Sequence, residues 1–248
     1  MCGRYAASAD QELLTEVFEI DEVAGPMPPP RFNIAPTDPV AAIVARAPKA
    51  EPEDVRRKLV TLRWGLVPSW SSDPKGAARL INARAETVAV KPAFRKAFAA
   101  RRCLIPADGY YEWYQMQASG PRGRPLRQLF FIRPADGSLY AMAGLYEFWR
   151  VPGGKGEDAW LSTCSIITTT AVDAIGHIHD RMPMTVAPKL WSDWLDPGLT
   201  DPDEAAALMA APQPDALEAY AVPTLVNKVG NDGPALIQPL PLEPSGQQ

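Results

Sequence analysis

The sequence contains few of the residues that build disulfide frameworks and metal centres. It has three cysteines, at positions 2, 103 and 164, and two histidines, at positions 177 and 179. Three cysteines do not make a framework of pairs, so we expect a reducing compartment, the cytoplasm. There is no Cys-x-x-Cys pair, and the histidines and distant cysteines lack the ligand spacing of a zinc site. The sequence therefore predicts neither a metal nor another cofactor.

Long apolar runs are missing as well. No window of 18 residues is both apolar and uncharged, so no transmembrane helix is predicted, and no secretory signal pattern follows Met1. No repeat period and no βαβ alternation runs through the chain. The 248 residues, 46% hydrophobic and 22% charged, have the composition of a globular protein that can bury a sizeable core.

Short apolar, β-branched runs separated by Gly, Pro and Asp dominate what is present. They lie at 40–45, 59–62, 103–105, 110–114, 129–132, 139–145 and 161–169. Helical patterns are fewer, at 9–19, 87–99, 171–178, 187–195 and 203–211. We therefore expect an α+β fold, with a largely antiparallel sheet or open β-barrel core and peripheral helices.

Composition predicts the boundaries of the domain and of its C-terminal tail. No compositional shift marks a linker, so we expect a single domain over residues 1–238 and a disordered, Pro-rich tail over 239–248. The Gly/Pro/Arg-rich stretch at 115–127 is typical of a mobile hairpin loop. Ser8 and Gln11 fit a capping box that would start the first helix at its Ser8 end.

Charge is distributed unevenly along the chain, whose net charge is −4. Residues 79–127 carry ten basic and three acidic side chains, whereas residues 128–248 carry six basic and fifteen acidic ones. A basic middle in an acidic chain is the pattern of a polyanion-binding surface. The alternative is a solvated surface whose basic side chains pair with the acidic side chains of residues 128–248.

The N-terminus carries an unusual combination of groups. Removal of Met1 would leave Cys2 with an α-amine and a thiol on adjacent carbons. The α-amine has a pKa of about 7.7–8.0, against about 10.4 for lysine, so near neutral pH roughly a few hundred times more of it is free base. Such an amine attacks an aldehyde to give an imine, and the thiol then closes a thiazolidine ring. The alternative is a small structural cysteine.

Four other residues suggest polar chemistry. Glu112 lies in an aromatic run, where burial would raise its pKa and suit a general acid or base, unless it faces outward. His179 follows a turn beside two charged residues, as a site histidine or a structural one. Asn82 and Arg84 share one strand face and suit an oxyanion or a phosphate.

One tryptophan stands apart from the apolar runs. Trp70 follows a proline in a predicted loop. If it is exposed, it can stack on a base or wedge at a duplex end, and otherwise it belongs to the core.

Seven blocks of the chain occur in the order found in the SOS-response-associated peptidase (SRAP) family, the abasic-site processing proteins. The chain resembles that family over about residues 2–236. The blocks are MCGR at 1–4, FNIAPT at 32–37, WGLVP at 64–68, INARAET at 81–87, RCLIP with GYYEW at 102–113, IHDRMP at 178–183, and VN with DGP at 226–234. The stretch at 115–127 and the tail after Pro239 depart from the family pattern.

The resemblance implies an SRAP-like fold and a specific reaction. An exposed Cys2 would react with the ring-opened aldehyde of an abasic site and form a thiazolidine cross-link, with weak lyase activity through the same Schiff base. The link would protect the lesion during the SOS response and DNA repair. Asn82 would position the Cys2 end, Glu112 would move protons, and His179 would act beside the ring-opened sugar.

The resemblance also implies a DNA partner. This is single-stranded DNA carrying abasic sites, or a junction with duplex, bound by a monomer that joins the nucleoid. Phosphate contacts are implied for Arg4, Arg84 and Arg181. Positions along the DNA path are implied for Asn33, Pro36, Trp70 and Thr168.

Two alternatives stay open. The family name points to a cysteine peptidase that uses Cys2 with Glu112 or His179, on peptides or only on its own Met1. The other alternative is a non-covalent nucleic-acid-binding module with a structural Cys2. Turnover of added peptide would identify the first, and full activity of a Cys2→Ala variant would identify the second.

Overall fold

A computed structural model describes residues 2–48, 50–119, 125–210 and 216–241. The strands, numbered in chain order, are β1 (Tyr5–Ala7), β2 (Glu22–Ala24), β3 (Arg31–Ile34), β4 (Pro39–Arg46), β5 (Arg56–Trp64), β6 (Asn82–Arg84), β7 (Arg102–Ala107), β8 (Gly109–Ser119), β9 (Pro125–Pro134), β10 (Tyr140–Arg150), β11 (Trp160–Thr170), β12 (Arg181–Pro183) and β13 (Leu217–Val222). The α-helices are α1 (Gln11–Val17), α2 (Arg95–Ala100), α3 (Asp173–Gly176), α4 (Trp191–Leu195) and α5 (Pro202–Met209). Short 3-10 helices lie at Pro74–Arg79, Gly156–Ala159, Pro188–Leu190, Thr224–Asn227 and Pro234–Ile237.

Five strands close into a barrel. Antiparallel pairing joins β5 to β4, β4 to β7, β7 to β10 and β10 to β11. A short parallel pairing of β11 with β5, at Thr163↔Arg63 and Cys164↔Trp64, completes the ring. The prediction of an α+β fold with a largely antiparallel barrel core is confirmed, and the barrel is closed rather than open.

Strands β4, β7 and β10 are buried on both faces over most of their length, which explains their nearly continuous apolar sequences, whereas β5 buries only three of its nine residues. Alternate residues enter two clusters. One cluster, with Ile43 and Leu104, is shared with the helices, and the other, with Ala42 and Cys103, is shared with the N-terminus and a second sheet. The barrel therefore supports the chain terminus directly.

The second sheet has the order β13-β9-β8-β1-β3. Tyr5 of β1 pairs with Tyr110 of β8 and with Ile34 of β3, so the N-terminal segment is a central strand of this sheet. Gly109 opens β8 because a Cβ there would lie 2.4 Å from the Ile132 carbonyl oxygen of β9. Because Gly109 has no side chain, β8 and β9 can approach each other closely beside β1.

The helices are shorter than predicted, and one capping prediction is wrong. Asp10, not Ser8, caps α1, because its Oδ1 accepts from the Leu13 amide at 2.9 Å. The Ser8 amide instead donates to Asp108 Oδ2. Of the predicted helix at 87–99, α2 covers only the end, since Pro92 disfavours helical geometry in the residue before it. No helix among the described residues is long and apolar enough to cross a membrane.

Two predicted irregular segments are described only in part. Strands β8 and β9 extend into the stretch at 115–127, so the predicted hairpin loop is shorter than expected, and residues 120–124 lie outside the described residues. Of the predicted disordered tail at 239–248, residues 242–248 also lie outside them.

Candidate functional site

Cys2 lies just before β1, where its backbone is tied to the barrel. The Asn82 side-chain Nδ2 donates to the Cys2 carbonyl oxygen at 2.7 Å, and the Cys2 Sγ–H donates to the Arg4 carbonyl oxygen at 3.7 Å. The residue is fully buried, in a cluster that includes Tyr5 and Trp64. This differs from the exposed Cys2 that the resemblance implies, because aromatic side chains of both sheets pack around the start of β1.

The environment of Cys2 keeps its thiol protonated. Burial raises the pKa of the Cys2 thiol well above its usual range, and the nearby Glu112 carboxylate raises it further. Since the thiolate is the stronger nucleophile, sulfur attack at this site needs a base that takes the thiol proton as the new bond forms. Glu112 lies close enough to interact with the thiol electrostatically.

Glu112 is buried within β8, opposite Phe130 of β9, with 3% of its surface exposed. Burial raises the pKa of its carboxyl group, and interaction with His179 works in the opposite direction. The predicted burial and the predicted direction of the pKa shift are both confirmed. A carboxyl group whose neutral form persists to higher pH is better suited to donate a proton, and its ionised form can accept one.

Asn82 reaches Cys2 because β6 pairs in parallel with β11, where Asn82 lies beside Ile166. One end of its side-chain amide is engaged with the Cys2 carbonyl. The other end, Oδ1, is buried and has no hydrogen-bond partner among the described residues. Asn82 therefore fixes the Cys2 backbone and leaves its own Oδ1 as an unused hydrogen-bond acceptor.

His179 is oriented by the backbone of β12. Its Nδ1 accepts from the Arg181 amide at 2.9 Å and lies 3.0 Å from Asp180 Oδ1. The backbone amide is an obligatory donor, so Nδ1 of a neutral His179 is the acceptor and Nε2 carries the proton. His179 also interacts electrostatically with Glu112, so the two side chains lie at the same site.

The three implied phosphate-binding arginines lie in different surroundings. Arg84 is exposed, and it forms no ion pair within the described ranges. Arg4 is half-buried, and its Nη1 donates to Asn33 Oδ1 and to the Val226 carbonyl oxygen, both at 2.9 Å. Arg181 is held by Glu86 through two hydrogen bonds.

The remaining implied positions separate into buried and surface residues. Asn33 is fully buried, so it can act on a ligand only through Arg4, and Thr168 is fully buried beside Arg181. Pro36 is half-buried after β3, and Trp70 is exposed over 64% of its surface. Trp70 is thus the member of this set with a free aromatic face.

Sequence reasoning missed the segment that organises Arg4. The Asn33 side-chain amide donates to the carbonyl oxygens of Val226, Lys228 and Asn231. The same segment accepts from Arg4, so residues 226–231 connect the end of the chain to its beginning. The only sequence signal for this was the block VN with DGP.

The family model for SOS response associated peptidase (SRAP) matches residues 1–229. The chain is 38% identical to the abasic site processing protein YoqW of Bacillus subtilis, covering 96% of this chain and 99% of that protein. It is 32% identical to YedK of Escherichia coli, covering 97% and 100%, and 29% identical to HMCES of Mus musculus, covering 98% and 77%. Both are also named abasic site processing proteins.

Solved structures share the fold. A protein from Bacteroides thetaiotaomicron superposes with a TM-score of 0.77 at 21% identity, covering 96% of this chain and 100% of the other. A phage-related protein from Bordetella bronchiseptica superposes with a TM-score of 0.64 at 30% identity, covering 89% and 94%.

Proposed function

The chain belongs to the SOS response associated peptidase (SRAP) family, and from this premise we propose that it captures abasic sites in single-stranded DNA by a covalent thiazolidine link through Cys2, formed after Met1 is removed. The curated relatives are named for abasic site processing. The observation that carries the proposal is the Asn82 hydrogen bond, which fixes Cys2 beside the buried Glu112.

The first step joins the protein to the lesion. The Cys2 α-amine attacks C1′ of the ring-opened sugar, and the resulting carbinolamine loses its hydroxyl group as water to give a protonated imine, an iminium ion. Glu112 in its neutral form donates the proton that this water carries away, and burial favours that form because it raises the pKa of the carboxyl group. His179 donates from Nε2 to the sugar oxygen as the ring opens.

The second step closes the ring. The Glu112 carboxylate, now deprotonated, accepts the proton of the Cys2 thiol while sulfur bonds to the iminium carbon. The nitrogen keeps the proton it carried in the iminium ion and becomes the neutral amine of the ring. The net reaction of aldehyde with aminothiol releases one water. This use of Glu112 fits the raised pKa of the buried thiol, which cannot lose its proton to solvent near neutral pH.

The surface around the site suits a DNA strand. Arg84 offers an exposed guanidinium, Arg4 is fixed by Asn33, and Arg181 lies beside His179 along β12. Arginine binds phosphate oxygens with two parallel hydrogen bonds. Trp70 offers an exposed ring for stacking on a base or for stopping a duplex.

We propose that the protein acts as a monomeric single domain over residues 1–238, in the cytoplasm and on the nucleoid.

A second activity is proposed at the same place, the release of Met1 by the Cys2–Glu112 pair. It is supported by the family's description as a peptidase and by the proximity of Glu112 to residue 2. Mass spectrometry of freshly translated protein would detect it as loss of Met1 without an added aminopeptidase. If Glu112→Gln loses Met1 as fast as the unaltered chain, self-cleavage through Glu112 is excluded.

The capture reaction is tested with a single-stranded oligonucleotide that carries one abasic site. Met1-processed protein should give a heat-stable shifted band on a denaturing gel without any reductant. The band should be absent with an intact oligonucleotide and with Cys2→Ala, and weaker with Cys2→Ser, because a hydroxyl closes a less stable ring. No band from protein shown by mass to lack Met1 would refute covalent capture.

A further inference from the structure

The guanidinium of Arg181 is occupied by a carboxylate of the same chain. Arg181 Nη1 lies 2.5 Å from Glu86 Oε1, and Nη2 lies 3.0 Å from Glu86 Oε2. Nη2 also donates to the Thr168 carbonyl oxygen at 2.5 Å. The two parallel contacts use the fork that arginine otherwise presents to a phosphate.

We propose that Glu86 is an internal competitor for DNA phosphate at Arg181 and limits the binding of undamaged strands. This rests on the proposed function, in which Arg181 contacts a DNA phosphate. A phosphate that takes both Nη groups must displace the Glu86 carboxylate, because the two anions need the same donors. Each binding event therefore breaks an ion pair before it forms a new one, and the affinity for any strand falls accordingly.

The positions of the two side chains allow this exchange. Arg181 exposes 12% of its side chain and is held from behind by Thr168, whereas Glu86 exposes 50% of its side chain and lies on the solvent side. Glu86 follows β6 in a turn closed by the hydrogen bond from the Thr87 amide to the Arg84 carbonyl oxygen. The carboxylate can swing into water while the arginine stays in place.

Arg84 provides the contrast within the same segment. It precedes Glu86 by two residues, is exposed, and has no ion-pair partner among the residues described. It can attract any DNA strand at long range. Arg181 binds a phosphate only when a strand lies close enough to displace Glu86. Arg84 therefore attracts DNA in general, whereas Arg181 adds affinity only for a strand that is already bound in place.

The exchange works by displacement rather than by protonation. The hydrogen bonds from Arg181 hold the pKa of the Glu86 carboxyl group below its usual range. Glu86 therefore remains charged near neutral pH, and it repels an approaching phosphate until it leaves. Once released, the carboxylate attracts a cation from solution, which offsets part of the counterion release that DNA binding causes.

The experiment measures the affinity for an intact single-stranded oligonucleotide across a salt titration. Glu86→Gln should bind about two- to fivefold more tightly than the unaltered protein at low salt, the range expected for one partly exposed ion pair. Its plot of log affinity against log salt should be steeper by about one. Glu22→Gln is the matched control, because it breaks the exposed Lys58–Glu22 pair at 2.7 Å and changes the charge equally.

A double-mutant cycle links the effect to Arg181. In an Arg181→Gln background, Glu86→Gln should give no gain beyond that of Glu22→Gln. An equal gain in both glutamate variants overturns the proposal, and so does a gain that persists without Arg181. A loss of affinity in Glu86→Gln also overturns it, since Glu86 would then position Arg181. None of these outcomes affects the lesion-dependent adduct, whose absence from the unaltered protein would instead refute the proposed function.

Discussion

The side-chain amide of Asn82 donates a 2.7 Å hydrogen bond to the carbonyl oxygen of Cys2, a residue 80 positions earlier in the chain. Asn82 lies on β6, which pairs with β11 of the closed barrel. The second sheet holds the other side of the N-terminal segment through β8. The N-terminal segment that carries Cys2 is therefore fixed by both sheets at once.

Asn82→Ala should slow cross-linking to an abasic site by about tenfold to a hundredfold, because small displacements of a reacting group have large kinetic effects. Binding of intact single-stranded DNA should change little. Asn227→Ala is a suitable control, since it also removes an asparagine hydrogen bond, the one that Asn227 Oδ1 accepts from Trp113 Nε1 at 2.9 Å. Single-turnover rates on a denaturing gel measure the effect, and equal rates for both variants would contradict it.

Glu112→Gln should lower the cross-linking rate by about a hundredfold, in the range of general acid–base catalysis. Because burial raises the pKa of Glu112, the rate in the unaltered protein should decline on the alkaline side as the proton donor is lost. Glutamine does not titrate, so this decline should disappear in the variant. A pH profile of single-turnover rates that keeps the same alkaline limb in Glu112→Gln would show that another group titrates.

Stability should depend on Glu112 in a defined direction. A carboxyl group whose pKa is raised by folding stabilises the protein fully below its unfolded pKa, about 4.3, and loses that contribution as the pH rises through the folded value. The free energy of unfolding of the unaltered protein should therefore fall relative to that of Glu112→Gln as the pH rises above the ordinary glutamate range. Urea titrations at several pH values measure the difference. A constant difference would contradict the buried position of Glu112.

Properties of the candidate site were predictable where they depend on one residue and its neighbours in the sequence. Glu112 among aromatic residues predicted burial, and the structure buries it, which raises the pKa of its carboxyl group. The burial of Cys2 was not predictable, because it depends on Tyr5 and Trp64 meeting across two sheets. The Glu86–Arg181 ion pair was also not predictable from the sequence, since it joins the turn after β6 to β12 across 95 positions.

The fold was predictable in its long strands and less so in its short elements. All seven apolar runs coincide with strands to within one residue, because short apolar, β-branched runs between turn residues give a strong local signal. Short strands such as β1, β6 and β12 have three residues each and depend on pairing with distant partners. The parallel contact that closes the barrel involves only two residue pairs and leaves no pattern in either strand.

Arg84→Ala should weaken binding of intact and damaged single strands alike, and it should reduce the slope of log affinity against log salt by about one. The side chain is exposed at the end of β6 and forms no ion pair within the described part of the chain. Arg150→Ala, an exposed arginine at the end of β10, should leave both quantities unchanged. Fluorescence anisotropy at several salt concentrations distinguishes them. An unchanged slope in Arg84→Ala would remove this residue from the phosphate contacts.

Arg102 should be the arginine whose loss is most damaging to stability. It is buried at the start of β7, and its guanidinium donates to five carbonyl oxygens, those of Phe98, Ala99, Trp194, Asp196 and Leu199. Four of these oxygens lie at the ends of α2 and α4, and that of Leu199 lies in the segment after α4, so one side chain ties both helices to the barrel.

Arg102→Met should lower the free energy of unfolding by about 3 kcal/mol or more, because several buried carbonyl oxygens lose charged donors together. Arg102→Lys should recover only part of the loss, since an ammonium group has three donors and cannot span the same acceptors. Arg95→Met, at an exposed position on α2, is the control and should change stability by less than about 0.5 kcal/mol. Equal unfolding midpoints in urea for Arg102→Met and Arg95→Met would show that Arg102 is dispensable. The cross-linking rate per folded molecule should be the same in all three variants, because Arg102 acts on the helices and makes no contact with Cys2 or Glu112.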